Sequence, residues 1–349
     1  MQLTCDRIMG RQRAQGHEFV EAEICVIGVG TAGNAAVRSA IKEPITGVRY
    51  VLCYSDLRYV DCPAKGPRWT KISAQGYHDD ERSRNIVDPQ RLWQKSETQR
   101  LPGSPDLVLI ATDMGDDVVA DTMPVVCRHA KETGAEVVVF AAIPHASDAT
   151  ERWEAAIAGL GRLRTLADNV VIIEKECLIQ HRRGAREPVP FSSQFTLSID
   201  EVLKQGIQSM CETVFVLGEV NVALAVVKKV MSLPGLTVMA IGQGTGNHPA
   251  IEAAEEALAN PSAPVMMGEA RGVLVNFCGG PDLTLGDVSE AAELIAAASH
   301  PGCVFAFGVS SVRERLRGRA QVTVIAAGIG SNQSPPQQAD ETFSQLRGR

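Results

Sequence analysis

Short β-branched apolar runs alternate with stretches of helical period through the first half of this chain, and that alternation leaves few folds open to it. Residues 23–29 form the first run, which ends in glycines and leads into a helical pattern through Ala35, Ala36, Val37, Ala40 and Ile41. Strand-like runs recur at 48–54, 106–111, 135–143 and 169–173, with helical stretches at 118–132 and 150–166. Strands alternating with helices predict an α/β protein built on a parallel, doubly wound sheet.

The second half repeats the theme on a smaller scale. A Pro/Arg/Ser-rich break at 181–195 precedes a long helix over 198–216, with Val202, Leu203, Ile207, Met210 and Val214 on one face. Helices are then expected at 223–231, 249–259 and 287–299, and strands at 236–242, 271–278, 303–309 and 321–327. The stretch 61–105 is rich in Pro, Gly, Arg and Asp and reads as loop, with a short helix near 89–97. These shifts divide the chain into a flexible extension at 1–21, an α/β domain at 22–195 and a central connecting helix and loop at 196–219. A smaller C-terminal α/β domain follows at 220–330, then a disordered, polar tail at 331–349.

Composition removes several function classes. The 349 residues, 45% of them hydrophobic, suffice for a sizeable core. A net charge of -7 and short arginine clusters at 182–183 and 313–319 give no footprint for nucleic acid. The nine cysteines include no pair at the two-residue spacing of zinc or redox motifs, so they read as buried, reduced thiols of a cytoplasmic protein. Residues 1–19 lack the apolar centre of a signal peptide, and the apolar run 137–144 is too short to span a bilayer, so no membrane insertion is expected.

Two loops carry the chemistry. Gly28-Val29-Gly30-Thr31-Ala32-Gly33 matches the dinucleotide fingerprint at a strand-to-helix turn, and Asp56 closes the second strand where a ribose-binding acid would sit. The same glycines are also what a tight turn with close helix packing requires. The second strand-to-helix turn, 110–126, carries Asp113, Asp116, Asp117 and Asp121. A phosphate cradle needs small residues that let backbone N–H groups approach the anion. Carboxylates there oppose it: two unit charges about 4 Å apart interact by roughly 4 kcal/mol at an effective dielectric near 20. In a helix's first turn the same carboxylates serve as caps, so Asp116 or Asp117 is expected to fill the protein's own anion site. Asp116, Asp117 and Asp121, with Asp113 and Asp148 beside them, are weak candidates for a Mg²⁺ or Ca²⁺ site. The histidines form no i, i+4 pair, no serine sits in a nucleophile elbow, and His145 beside Pro144 is the one histidine near the pocket.

The run VIGVGTAGNAAV, followed by Ile45-Thr46-Gly47-Val48, resembles the first loop of the tubulin/FtsZ family, with Thr31, Ala32 and Asn34 replacing glycines and Ala35 in the place of an asparagine. The likeness extends over about 24–330. It is most specific in the second half: residues 269–276 (EARGVLVN) look like G-A-R-G-V-L-V-N, 281–285 (PDLTL) like F-D-L-R-L, and 322–329 (VTVIAAGI) like V-T-V-V-A-T-G-I. The resemblance implies an FtsZ-like nucleotide-binding-type domain at 22–195, a central helix and a C-terminal domain. It implies a nucleotide site at Gly28, Gly30, Thr31, Ala32, Gly33, Asn34, Asp56, Gly115, Asp148 and Arg152.

The activity loops depart from the family's pattern. Its G-G-G-T-G-T-G falls on residues 115–121, where Gly115 alone remains, and its base-recognising P-N-D-K falls on 174–177 (EKEC). The family's catalytic N-V-D-F-A-D falls on 221–226 (NVALAV), with Ala223 and Val226 replacing both acids. The expectation is therefore a cytoskeletal-type pseudo-GTPase that acts through protein contacts, by self-association or on an FtsZ-like partner, with no cofactor. The alternatives are a GTP- or GDP-binding polymerising protein with partner-dependent GTPase activity, and a dinucleotide-binding oxidoreductase.

Overall fold

The computed structural model describes residues 22–54, 65–66, 69–73, 104–144, 150–174, 198–215, 220–259, 267–310 and 316–330. Among these, β1 (Ile24–Val29), β2 (Val48–Tyr54), β5 (Leu107–Asp113), β6 (Glu136–Ile143) and β7 (Asn169–Glu174) form a parallel sheet with β1 between β2 and β5. The connections are helical: α1 (Gly30–Ile41) links β1 to β2, α2 (Asp117–Glu132) links β5 to β6, and α3 (Thr150–Leu166) links β6 to β7.

Side-chain alternation on the strands decides which helix covers which face. Ile24 and Val26 of β1 pack with Ala36, Val37 and Ala40 of α1 and with Val202, Leu203, Ile207 and Met210 of α4 (Ile199–Phe215). Cys25, Ile27 and Val29 point the other way, among Val119, Met123 and Val126 of α2 and Trp153, Ala156 and Leu160 of α3. Every residue of β1 is buried, as a parallel strand covered on both faces requires.

The C-terminal strands are β8 (Leu236–Thr245), β9 (Gly272–Gly279), β10 (Val304–Val309) and β11 (Arg319–Ile329), with α5 (Leu224–Met231) before them and α6 (Pro249–Leu258) and α7 (Leu285–Ala298) between them. Here β9 and β10 are parallel, while β11 runs antiparallel between β8 and β9. Ala250, Ala253, Ala254, Val288, Ala291 and Ile295 of α6 and α7 cover one face of this part. Because β8 also pairs with β7, at Val171–Thr237 and Ile172–Val238, all the described strands, with β3 (Lys65–Gly66) and β4 (Trp69–Ser73) among them, join one sheet in the order β10-β9-β11-β8-β7-β6-β5-β1-β2-β4-β3.

One expectation is corrected. The 61–105 stretch, read as loop, contributes β3 (Lys65–Gly66) and β4 (Trp69–Ser73), and β4 pairs parallel to β2 at Tyr50–Trp69 through Tyr54–Ser73. A five-residue strand beside a two-residue partner is too short to leave a period in the sequence. The short helix expected near 89–97 lies outside the described residues, as do the extension at 1–21 and the tail at 331–349.

Candidate functional site

The C-terminal ends of β1, β2 and β5 converge where α1 and α2 begin, the place at which an open α/β sheet forms a ligand crevice. At this point α1 leaves β1 without help from its own sequence. Its N-cap residue is Val29, which has no side-chain oxygen, and its first turn contains no acid. The missing acceptor comes from the β5–α2 turn, 85 residues away: the Asp116 Oδ2 accepts from the Thr31 backbone N–H at 2.9 Å and from Thr31 Oγ1 at 3.1 Å. The carboxylate also lies close over Gly30, where an added Cβ would be 3.0 Å from Oδ2. Asp116 thus occupies the positive end of α1.

The rest of the β5–α2 turn is held by its own groups. Asp113 Oδ1 accepts from the Gly115 N–H at 3.0 Å, and the Asp116 N–H donates to the Asp113 carbonyl at 3.1 Å. Arg152 Nη2 on α3 donates to the Gly115 carbonyl at 2.7 Å, which ties the first turn of α3 to this loop. The side chains of Asp117 and Asp121, and all of Asp56, Asp148 and His145, lie outside the described residues.

Glycines of the first loop have packing partners of their own. A Cβ on Gly33 would fall 2.1 Å from the Ala111 carbonyl oxygen, and one on Gly28 would fall 2.6 Å from the Gly33 carbonyl oxygen. Ala32 is half-buried against the core. Asn34, which replaces a family glycine, is 3% exposed and donates from Nδ2 to the Cys53 carbonyl at 2.7 Å, bolting α1 to the end of β2. Its Oδ1 and the neighbouring strand's Thr112 Oγ1 are buried and have no hydrogen-bond partner among the described residues.

These residues do not fit a phosphate as they stand. An anion at the N-terminus of α1 would meet the Asp116 carboxylate, and displacing that group forfeits a charge-assisted hydrogen bond of about 1.5–3 kcal/mol. That loss and a charge repulsion of roughly 4 kcal/mol stand against the roughly 8 kcal/mol of micromolar binding. Among the described residues no group of three or more His, Cys, Asp or Glu is arranged to hold a metal ion.

In the segment matched to the family's catalytic loop, Asn221 is followed by apolar residues from Val222 to Val227. Ala223 is the N-cap of α5, extended at φ -62° and ψ 138°, and offers no side-chain cap. Val226 donates its N–H to the Ala223 carbonyl at 2.9 Å and packs partly buried against the core, while Val227 is fully buried. Among the described residues, burial pushes the Cys25, Cys53 and Cys127 thiols up to about 12, and no two cysteines are paired with one another.

Two features escaped the sequence reading. His248 and Asp287 meet at 3.0 Å between the N-termini of α6 and α7, where the hydrogen bond of the imidazole to the Asp287 carboxylate raises the imidazole's pKa and lowers the carboxyl's. They are 39 residues apart, so no local pattern announces them. A polar cavity of about 470 Å³ lies between α4 and the β8–β11–β9 face. Its sequence signal was present in Gln205, Gln208, Ser209 and Glu212, a polar stripe opposite the apolar face of α4.

Residues 235–330 match the FtsZ family, C-terminal domain. The fold has solved counterparts. An FtsZ mutant from M. jannaschii is 24% identical with a TM-score of 0.71, covering 95% of this chain and 96% of that one. An FtsZ dimer from M. jannaschii, described as empty, is 24% identical with a TM-score of 0.73, covering 93% and 92%. A CetZ from Methanosaeta thermophila is 16% identical with a TM-score of 0.62, covering 93% of each.

Proposed function

For this tubulin/FtsZ superfamily protein, with the FtsZ fold along nearly its whole length and an FtsZ-family C-terminal domain at residues 235–330, we propose a cytoskeletal-type role carried by protein–protein assembly and not by GTP hydrolysis. The observation that carries the reading is the Asp116 carboxylate on the Thr31 N–H, which puts the protein's own anion where a nucleotide phosphate would sit. Alanine and valine at positions 223 and 226 add to it, since neither can polarise a water. A nucleotide site shared between neighbouring subunits has no use for one half once the other is gone, and both halves here lack the groups for their task. Self-association is the assembly proposed first, because one structure similar to this chain is a dimer. A head-to-tail contact of such subunits is heterologous and open-ended, so a copy without hydrolysis would form a static polymer or cap that of an FtsZ-like partner.

The test begins with freshly purified protein, denatured and its supernatant resolved by anion exchange, together with a GTP titration in magnesium and sedimentation with and without GTP. The expected outcome is no co-purifying nucleotide, no GTP affinity up to about 1 mM, roughly the 4 kcal/mol level, and assembly indifferent to GTP. Near-stoichiometric GDP or GTP would overturn the reading in favour of a GTP-binding polymer. A protein that stays monomeric and leaves FtsZ polymerisation unchanged would overturn the assembly role itself.

A further inference from the structure

The turn that leads from α5 into β8, residues 232–235, is gripped by polar groups of the N-terminal strands and helices. Asn169 Nδ2, at the start of β7, donates to the Met231 carbonyl at 2.7 Å, and Ser232 Oγ lies 3.0 Å from Glu136 Oε1 of β6. Arg164 Nη2 of α3 reaches the Gly235 carbonyl at 3.4 Å, and Lys228 of α5 stands 3.7 Å from the Asp106 carboxylate before β5. The other side of the turn lies against β11. Gly235 sits at φ 121°, and a Cβ there would fall 2.5 Å from the Ile329 carbonyl oxygen.

These grips cross the place where the sheet is thinnest, since β7 and β8 pair at Val171–Thr237 and Ile172–Val238 alone among the described residues. Two oxygens at this seam, Asn169 Oδ1 and Thr237 Oγ1, are buried and have no hydrogen-bond partner among the described residues. Closing the seam costs the hydration of both, and that cost opposes the contacts that hold it shut.

One of those contacts depends on a proton. The Ser232 hydroxyl has a single hydrogen but two acceptors in reach, Glu136 Oε1 at 3.0 Å and the Lys228 carbonyl at 2.8 Å. While Glu136 is ionised, the two compete for that hydrogen. A protonated Glu136 brings its own and donates it to Ser232 Oγ, which leaves the hydroxyl free to donate to Lys228, so both bonds form at once.

The surroundings favour that protonated form. Along this end of the sheet Glu23 pairs with Arg49 at 2.6 Å, Asp106 with Lys228 and Asp168 with Lys131, whereas Glu136 makes no ion pair with any described residue. Its half-burial pushes the carboxyl above the ordinary 4.5 and the Asp168 carboxylate adds to the rise, while the Ser232 hydrogen bond, Lys228 and Lys131 act the other way. A carboxyl raised in the closed arrangement holds its proton more tightly there than in an open one. Its contribution to closure is therefore full below 4.5 and fades as pH rises through the closed-state value.

We propose that Glu136 and Ser232 form a proton-operated clasp on the α5–β8 turn, closed when Glu136 carries a proton and loosened when it is ionised. Loosening frees the turn and the first residues of β8, while the apolar cluster common to both halves of the sheet stays packed. The clasp uses none of the residues of the β5–α2 turn, and it stands whichever way the nucleotide experiment falls.

Hydrogen exchange by mass spectrometry on the full chain tests it, with rates corrected for chemical exchange and followed between about pH 5 and pH 8. Peptides from 228–238 should lose protection several-fold as pH rises, while peptides from β1 and β9 change little. Glu136→Gln, whose amide can donate to Ser232 as the protonated acid does, should keep the high protection at every pH. Ser232→Ala should lower the acid-side protection to the level of the unaltered protein at alkaline pH. The clasp is refuted if peptides from 228–238 show no pH dependence, or if Glu136→Gln retains it. It is refuted equally if β1 and β9 show the same slope, which marks a change in the whole fold, or if Ser232→Ala leaves the protection unchanged.

Discussion

A single side chain, Asp116, decides how this protein's first loop is read, and its effect can be measured without any nucleotide. It acts as an N-cap supplied in trans for α1, so Asp116→Ala should cost about 1 kcal/mol of stability in a urea titration, the usual worth of a cap. An unchanged midpoint would mean that the contact with Thr31 contributes nothing. Gly33 offers a sharper test, since its missing Cβ would overlap the Ala111 carbonyl at 2.1 Å, backbone against backbone. Gly33→Ala should therefore destabilise by about 3 kcal/mol or more. A tolerated alanine would show that the loop opens readily, and would return the glycines to a ligand-binding role. The residues of this site were legible from the sequence as types but not as partners. That Asp116 opposes a phosphate follows from its charge. That it reaches Thr31 depends on a contact across 85 residues, which no local pattern encodes.

Element by element, the long periodic segments could be placed from the sequence because their apolar faces repeat. The helix expected at 150–166 spans Thr150–Leu166, and the one expected at 198–216 spans Ile199–Phe215. What could not be read is how elements meet. The α6 carboxylates show it: Glu252 Oε2 accepts from the Thr245 N–H at 3.0 Å, and Glu256 accepts from the Gln243 N–H, so the helix supplies acceptors to β8 donors beyond the β7–β8 pairing. The His248–Asp287 pair joins α6 to α7 in the same manner and carries a pH signature. Its hydrogen bond raises the histidine, so that part of the stability is full below the ordinary value of 6.5 and fades as pH rises through the higher folded value. The lowered Asp287 contributes fully above 3.8 and fades as pH falls through its folded value. The pair accordingly helps most between pH 3.8 and 6.5. In an NMR titration His248 should show a midpoint above 6.5 that falls in Asp287→Asn; equal midpoints in the two proteins would remove the pair's role.

At the scale of the molecule, the sequence suggested two α/β units on either side of a helix, whereas the strands form one sheet. Pairing between β7 and β8 is confined to Val171–Thr237 and Ile172–Val238, which is slight beside the full ladders on either side. Continuity rests instead on shared apolar packing. One core cluster contains Leu107 and Leu109 of β5 and Phe140 of β6, but also Leu274, Ala306, Ile325 and Ala327 of the C-terminal strands, with Val227, Val230 and Met231 of α5 among them. Asn169 Nδ2 adds a buried hydrogen bond to the Met231 carbonyl at 2.7 Å, tying β7 to the end of α5. If this cluster couples the halves, they unfold together, since neither retains a covered face without the other. Hydrogen exchange by mass spectrometry in low denaturant should then give one opening free energy for peptides from β5, β6, β9 and β11. Met231→Ala, which empties a fully buried site, should lower all of them by the same amount, about 2–5 kcal/mol. A loss confined to β9 and β11 would show the C-terminal strands to be an independent unit joined only at the β7–β8 edge, and the single sheet would then be continuous in geometry without being so in energy.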